Sequence, residues 1–530
     1  MTFPIRRREA IMATTGIATG LVSLPVLAQA ATERAIVGVR TETQSIDPLF
    51  SYIATSKAVA HHMFDSLIMR DANLQLTPSL AVSWTLKAPR TWEFKLRPGV
   101  KWHDGKPFTA QDVLFTFDRA TKVPNSPAPF WAFLTQVEKA TSPDDLTLVI
   151  VTKGSSSQLL FDLTEIPMVS RHAGNAPTED YNNGKAAIGT GPFKFVSWKP
   201  GGAVELVRND EYFGGPAKFK QVSLVAMPND ASRTAALLAG SVDLIDSVPP
   251  DAVATIRRDR RFAIWQIEEV YTAYLHMDSN REKSPFIRAK DGSEIKNPLL
   301  DRRVRHALSL AINRAAIIER LLHGFGVPAG QLATPKMQGF NPDLKPAPYD
   351  PAKARALLAE AGYPNGFQMT IHGPNNRYVA DAAVTQAVGQ MFEQIGISMK
   401  VETMPSNVFF ARASAQEFSI FFIAWGSSQG TAWQGLRGVL MTYDKAKGFG
   451  PSNRGRYSNA EVDRLTIAAE STADLKEAAQ LSRQAAAIAF GEDGIIPMHY
   501  QISILASKAG LTYIPRSDQM TLAYGLSPKT

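Results

Sequence analysis

The chain has 530 residues, of which 45% are hydrophobic and 20% are charged. This composition is ample for a large buried core and too polar for a protein with many membrane spans. The 57 basic and 49 acidic residues give a net charge of +8, and the two signs are mixed along the chain, which favours a solvated surface over a nucleic-acid-binding one.

The first 30 residues have the pattern of an export signal. Three arginines at positions 6–8 precede an uncharged stretch from 10 to 32, and residues 28–30 fit a small-residue cleavage site. The paired arginines resemble a twin-arginine signal, while the general secretory route stays open. We expect cleavage after Ala30. The alternative is an uncleaved anchor, for which the stretch is only weakly apolar.

Cysteine is absent from the sequence. Disulfides, thiolate metal sites and a lipid anchor on cysteine are therefore excluded. Together with the export signal, this predicts a mature protein that is free in the periplasm of a Gram-negative cell. The nine histidines are scattered without metal-ligand spacing, so we expect no metal site and no cofactor. A metal carried by its own organic chelator remains open, since it needs few protein ligands.

Helix and strand signals alternate along the chain, which predicts an α/β fold. Residues 92–97 alternate between apolar and polar, as in a half-buried strand. A capping-box pattern at Thr109 predicts the start of a helix. The sequence Pro-Gly-Gly at 200–202 predicts a turn between strands at 193–198 and 204–207.

The second half of the chain continues this alternation. Asp301 is predicted to cap a helix whose basic residues 302, 303, 305 and 306 lie opposite its apolar face. Asp350 and Pro351 predict the start of another helix, which Gly362 ends. The uninterrupted apolar run at 418–425 is typical of a strand buried on both faces.

Several short segments resemble the extracellular solute-binding protein family 5, the peptide, nickel and opine binders of ABC importers. In chain order they are 45–49 (SIDPL), 62–67 (HMFDSL), 80–84 (LAVSW), 92–105 (WEFKLRPGVKWHDG), 108–113 (FTAQDV), 189–193 (GTGPF), 208–212 (RNDEY), 240–243 (GSVD) and 304–313 (VRHALSLAIN). The similarity runs from about residue 36 to the C-terminus. One such segment is weak, but this many in order are specific.

The resemblance implies a three-lobed fold of the type II periplasmic-binding-protein class, as in the peptide binders. Lobe I would combine residues 31–75, 188–283 and 499–530, lobe II would be 76–187, and lobe III would be 284–498. Ligand would sit between lobes I and III, which close by a hinge. We expect a monomer that is not an enzyme and that hands its solute to an inner-membrane ABC permease.

The segment after the predicted strand at 418–425 is the first candidate for binding. Trp425, Ser427, Ser428, Gln429 and Trp433 fall in it. In peptide-binding members, a Trp-x-x-Asp pattern here places a carboxylate against the peptide amine. Trp425 fits that pattern, but Ser428 stands at the acidic position, which argues against ordinary peptide binding. An acid from another segment could still serve.

Arginines and aromatic residues supply the remaining candidates. Arg377 and Arg454 fall in predicted loops and can clamp a carboxylate or phosphate, and Arg437 is a weaker third candidate. Platforms for stacking come from Tyr52, Tyr274 and Tyr500, whereas Tyr271 favours the core. We therefore expect a small polar organic solute, namely a short or modified peptide, an opine-like molecule or a sugar conjugate.

Two hypotheses from other classes remain. Residues 426–430 fit the G-x-S-x-G pattern, which in a serine hydrolase would make Ser428 the nucleophile, and His499 lies downstream. The pattern is short, so its specificity is low. The other hypothesis is a periplasmic haem carrier or chaperone that reuses the binding fold.

Overall fold

The computed structural model describes residues 33–427 and 429–529. The predicted export signal and its cleavage site lie outside this part of the chain, and so does the side chain of Ser428.

Strands and helices alternate along the described chain. The strands are β1 (Arg34–Val39), β2 (Ile68–Arg70), β3 (Leu76–Pro78), β4 (Ala81–Ala88), β5 (Thr91–Leu96), β6 (Val137–Asp144), β7 (Thr147–Thr152), β8 (Phe193–Ser197), β9 (Val204–Arg208), β10 (Gln221–Ala226), β11 (Leu244–Ile245), β12 (Phe262–Met277), β13 (Ile287–Arg288), β14 (Gly326–Pro328), β15 (Gln368–Pro374), β16 (Ser398–Met404), β17 (Ile420–Gly426), β18 (Ile496–Lys508), β19 (Leu511–Tyr513) and β20 (Leu526–Pro528).

The α-helices pack against these strands. They are α1 (Ala54–Met63), α2 (Ala110–Ala120), α3 (Gln158–Glu165), α4 (Thr178–Asn182), α5 (Asp230–Leu238), α6 (Val253–Arg258), α7 (Arg302–Ala311), α8 (Arg314–Arg320), α9 (Pro351–Glu360), α10 (Asp381–Glu393), α11 (Ser406–Ser414), α12 (Ala432–Gly435), α13 (Ala460–Glu470) and α14 (Leu475–Gly491). A π-helical turn, Leu436–Leu440, follows α12 directly.

One mixed sheet organises most of the described residues. Its strand order is β13-β15-β17-β12-β18-β11-β1-β10-β9-β8, with β16 beside β15 and β14 beside β18. The 16-residue strand β12 and the 13-residue strand β18 are neighbours at its centre and pair antiparallel. Segments that leave the sheet on either side of this pair can therefore face each other across it.

A second, four-stranded antiparallel sheet has the order β4-β5-β7-β6. Its inner face carries Trp92, Phe94 and Leu148, which are buried in the same core as α2. Together the two sheets give a mixed α/β architecture, as the sequence predicts.

Local sequence signals identify several elements correctly. The alternation at 92–97 forms β5, the apolar run at 418–425 forms β17, and the predicted turn joins β8 to β9. The capping box at the start of α2 is formed by Thr109 and Asp112. Asp350 caps α9 through the N–H of Lys353, with proline in the first helical turn. These predictions are confirmed. They succeed because each depends on contacts between residues that are close in the sequence.

The prediction for one face of α7 is wrong at Arg305. Asp301 caps this helix as expected, but Arg305 is 8% exposed. Its guanidinium donates to the carbonyl oxygens of Leu299 and Glu492, at 3.0 and 2.7 Å. Five donors on a planar group can be satisfied by backbone carbonyls inside the fold, so a basic residue here need not face solvent.

Among the helices of residues 33–427 and 429–529, none is long and apolar enough to cross a bilayer.

Candidate functional site

A cleft of about 450 Å³ opens over the central strands β12 and β18. Arg40, which follows β1, and residues 247–251, which follow β11, line one side. Residues 377–380, which follow β15, line the other side. Leu321, Leu322, His323 and Phe325 also line the cleft; they precede β14, which pairs with β18. The floor is formed by Glu269, Tyr271, His499, Gln501, Ser503 and Gln519. The walls face each other because their parent strands lie on opposite sides of the β12–β18 pair.

The pairing of β12 with β18 is irregular at the floor of this cleft. The register shifts between Glu268 and Thr272, so that the residues between them leave the regular ladder. Such an irregularity bends a strand and changes the direction of its side chains, and it is frequent beside binding sites. Here it presents Glu269 and Tyr271 to the cleft.

A second cavity of about 260 Å³ adjoins the first. Tyr271, Arg377 and Tyr378 line both cavities, so the two form a continuous site. The other lining residues of the second cavity are Tyr274, Phe410, Ile423, Ala424, Trp425, Gly426, Ser452 and Arg454. Of the residues selected from the sequence, the structure thus brings Trp425, Arg377, Arg454 and Tyr274 together.

Three arginines give the site its positive charge. Arg377 is exposed, and its guanidinium lies 5.3 Å from the centre of the Tyr378 ring. Arg454 is half-buried, lies 5.8 Å from the Phe410 ring and donates to Ser414 Oγ at 3.4 Å. Arg40 is exposed at the edge of the larger cavity. In the described part of the chain, none of the three forms an ion pair with a carboxylate, unlike Arg437, which pairs with Glu470 at 3.1 Å.

Tyrosines connect the two cavities. The Tyr378 hydroxyl donates to the carbonyl oxygen of Ala424 at 3.1 Å, which fixes its ring at the boundary. Tyr271 lies beside Arg377 in both cavities, and burial raises the pKa of Tyr271. Tyr274 is fully buried, and burial also raises its pKa. Its hydroxyl has no hydrogen-bond partner within residues 33–427 and 429–529, although it borders the second cavity.

Trp425 rests on the turn of chain that follows α12. A β-carbon added at Gly435 would lie 3.1 Å from its ring, and one added at Gly438 would lie 3.6 Å away. Both glycines flank the start of the π-helical turn. Because glycine has no side chain, both positions leave room for the indole of Trp425 at the wall of the second cavity.

The described residues 427 and 429–431, which follow β17, line neither cavity, and Gln429 among them contacts α3. Ser427 is buried, and its hydroxyl donates to Gln434 Oε1 at 2.7 Å. The Gln429 amide donates to the carboxyl group of Asp162, and the Trp433 indole donates to Gln158 Oε1 at 2.8 Å. Gln429 and Trp433 thus lie at the packing contact with α3, whereas the hydroxyl of Ser427 bonds within its own segment. The side chain of Ser428 is not among the described residues.

The two other tyrosines selected from the sequence also lie outside the cavities. Tyr52 packs edge-on against Phe130 and Phe133, with ring centres 6.2 and 5.2 Å away. Tyr500 is 4% exposed, and its hydroxyl interacts with the backbone of Gly330 and Gln331. Burial raises the pKa of Tyr500. Both side chains therefore contribute to packing around the site.

Sequence reasoning did not select most residues of the cleft floor. These residues come from three distant segments, namely β12 with Glu269, β18 with Gln501 and Ser503, and the segment of Gln519. No local pattern joins one of these segments to another. One signal was available, since His499, Gln501 and Ser503 alternate along β18 and so share one face. Burial lowers the pKa of His499 to about 4, so this ring is neutral at pH 7.

Among the side chains that the structure describes, no group of three or more histidine, aspartate or glutamate residues is arranged to hold a metal ion.

Comparison with known proteins identifies the family. The family model for bacterial extracellular solute-binding proteins, family 5, matches residues 75–446. The glutathione-binding protein GsiB of Pectobacterium atrosepticum is 28% identical over 491 residues, which cover 91% of this chain and 90% of that protein. The heme-binding protein A of Haemophilus influenzae is 28% identical over 487 residues, covering 85% and 83%.

The solved structures agree on the fold. HbpA2 from Haemophilus parasuis superposes with a TM-score of 0.81 at 23% identity, covering 94% of this chain and 100% of that one. Members of this family are binding proteins that work with an ABC permease, which supports binding over the hydrolase hypothesis. The chain belongs to the bacterial extracellular solute-binding proteins of family 5 and is the periplasmic solute-binding component of an ABC importer.

Proposed function

We propose that the two adjoining cavities bind one small anionic organic solute. The observation that carries this proposal is the set of three arginines, Arg40, Arg377 and Arg454, which line the site without carboxylate partners among the described residues. A guanidinium binds a carboxylate or phosphate with two parallel hydrogen bonds, and such charge-assisted bonds are stronger than neutral ones. The solute therefore carries at least one such group.

The tyrosines and Trp425 support an organic rather than a mineral anion. Tyr271, Tyr274, Tyr378 and Trp425 offer apolar ring surface beside the arginines. Sites for small organic ligands combine this kind of surface with a few placed polar groups. A short or modified peptide, an opine-like molecule or an acidic sugar conjugate would use both features.

The named relatives are consistent with this ligand class. One is called a glutathione-binding protein and the other a heme-binding protein. Glutathione and haem differ in shape, but both carry two carboxylates. We therefore infer that the site recognises the acidic groups of its solute and not one particular carbon skeleton.

The remaining parts of the proposal concern movement and delivery. Lobe I would comprise residues 31–75, 188–283 and 499–530, lobe II 76–187 and lobe III 284–498, after removal of the signal at Ala30. Strands β12 and β18 run beneath the cleft between lobes I and III, which makes them the natural hinge. A monomer closed on its solute would then dock on the inner-membrane permease.

The test begins with native mass spectrometry of protein purified from a periplasmic extract, which detects a retained solute. Calorimetry then measures binding of glutathione, haem, short peptides, opines and sugar phosphates. Arg454→Gln should weaken binding of an acidic solute by about 10- to 100-fold, because one charge-assisted contact contributes roughly 1.5–3 kcal/mol. Arg355→Gln is the control, since Arg355 is exposed and lies outside both cavities.

Two outcomes would contradict the proposal. One is a preference for neutral solutes in the wild-type protein. The other is unchanged affinity for every acidic solute after Arg377→Gln and Arg454→Gln are combined.

A further inference from the structure

One carboxyl group on the cleft floor has no role in the site as described so far. Glu269 lies where β12 leaves its regular pairing with β18, and it lines the larger cavity. Its side chain is oriented by Gln519, whose Nε2 donates to Glu269 Oε2 at 2.6 Å, and Ser503 lines the same cavity. Glu269 is only 8% exposed.

This carboxyl group has no cationic partner at close range. Glu269 makes no ion pair with any described residue, and Arg40 acts on it only at longer range. Burial raises the pKa of Glu269. Placing an acid in such surroundings costs free energy unless a partner compensates it. The hydrogen bond from Gln519 orients the group but supplies no positive charge.

The other acids at this cavity do not share these properties. Asp230 is exposed and pairs with Arg233 at 2.6 Å. Asp251 is exposed at the edge of the cavity. Glu269 therefore differs from them in being buried, fixed and free of a counter-ion within the described part of the chain.

The position of Glu269 relative to the arginines gives the site two poles. Tyr271 lines both cavities and lies within electrostatic reach of both Arg377 and Glu269. Arg377 in turn borders the second cavity together with Arg454. A path along the floor thus runs from a carboxylate, past Tyr271, to two guanidinium groups.

We propose that Glu269 is a ligand-binding residue that receives the ammonium group of a zwitterionic solute. This inference rests on the proposed function and makes it narrower. The anionic end of the solute lies at Arg377 and Arg454, and its amine lies at Glu269. An acid thus reaches the site from β12, although the loop after β17 carries Ser428 where peptide binders have an aspartate.

The experiment uses the full mature protein and two matched probes. One probe is a pool of short peptides with free N-termini, and the other is the same pool after N-acetylation, which removes the positive charge and keeps the carboxylates. Calorimetry or thermal shift compares the two pools on the wild-type protein. The wild type should bind the free pool about 10- to 100-fold more tightly.

Glu269→Gln should remove most of this preference, while affinity for the acetylated pool stays the same. Glu268→Gln is the matched control, because Glu268 is the neighbouring acid on β12 and lies outside the cavity. Thermal unfolding of each variant shows whether it is folded. If Glu269→Gln does not fold, the preference of the wild type decides the question.

Three results would overturn the inference. They are a wild type that binds both pools equally, a Glu269→Gln variant that keeps the full preference, and a wild type that binds neither pool. The proposed function is judged separately, because acidic solutes without an amine in the first screen still bind through the arginines, and Arg454→Gln still weakens them.

Discussion

The buried ring of His276 makes a quantitative prediction about acid stability. This histidine lies on β12, with its ring centre 5.3 Å from that of Phe421, and its Nε2 accepts the N–H of Gly455 at 3.2 Å. Burial lowers its pKa from 6.5 to about 3, and the nearby Arg454 and Arg456 add to this effect. The folded protein therefore keeps this ring neutral at mildly acidic pH.

The sign of the effect follows from proton binding. The unfolded chain protonates His276 below pH 6.5, whereas the folded chain does so only near pH 3. Stability is therefore unaffected well above pH 6.5 and is lost as the pH falls from 6.5 towards 3. Between pH 7 and pH 5, this one group should lower the free energy of unfolding by about 2 kcal/mol.

Urea denaturation at pH 7 and pH 5 tests this value. His276→Gln keeps an acceptor near Gly455 and removes the titrating ring, so its loss of stability over this interval should be about 2 kcal/mol smaller than that of the wild type. His172→Gln is the control, because the side chain of His172 is exposed. An equal loss in the wild type and in His276→Gln would refute the reasoning.

Three further predictions concern packing and buried charge, each measured by urea denaturation at pH 7. Glu165→Gln leaves two buried cations, Lys57 and Arg70, without their shared carboxylate and should cost about 3–5 kcal/mol. Glu138→Gln removes only an exposed partner of Arg90 and should cost less than about 1 kcal/mol, so similar losses would contradict the distinction. Gly426→Ala should lower the free energy of unfolding by about 1–3 kcal/mol, since the new β-carbon would lie 2.6 Å from the Tyr271 ring. An unchanged midpoint of urea denaturation would contradict this prediction. Asp162→Asn should change stability by less than about 1 kcal/mol, because the variant keeps an oxygen that accepts from the amides of Gln158 and Gln429, and burial, which raises the pKa of Asp162, disfavours the charge that is removed; a larger loss would contradict this.

The sequence predicts the local elements well for a physical reason. The capping box at Thr109, the proline after Asp350 and the apolar run of β17 act through contacts within one turn or one strand. The same reasoning fails at Arg305, whose partners include the backbone of Glu492, 187 residues away. A pattern read along one helix cannot include a carbonyl that only the tertiary fold brings close.

The candidate site divides in the same way. Trp425 and Arg377 could be selected from the sequence because each lies at the end of a recognisable strand or just after it, and Arg454 because it falls in a predicted loop. The place of Gln429 was not, since its partner Asp162 is 267 residues away, on a helix of the other sheet's layer. Glu269 could not be selected from the sequence either, because its position at the cleft depends on an irregularity in strand pairing that only the structure reveals.

The distribution of charge across the cleft explains how a solute could drive closure. Arg40, Glu269 and Gln519 belong to segments that leave the sheet on one side or form its floor, whereas Arg377 and Arg454 belong to the other side. Under the proposed hinge movement, closure brings these opposite charges towards the two ends of one solute. The acidic group of a zwitterionic solute would contact Arg377 and Arg454, its amine would contact Glu269, and both contacts would form together only when the sides approach. Since a ligand shifts a conformational equilibrium only by its differential affinity for the two states, charge placed on both walls is an effective way to couple binding to closure.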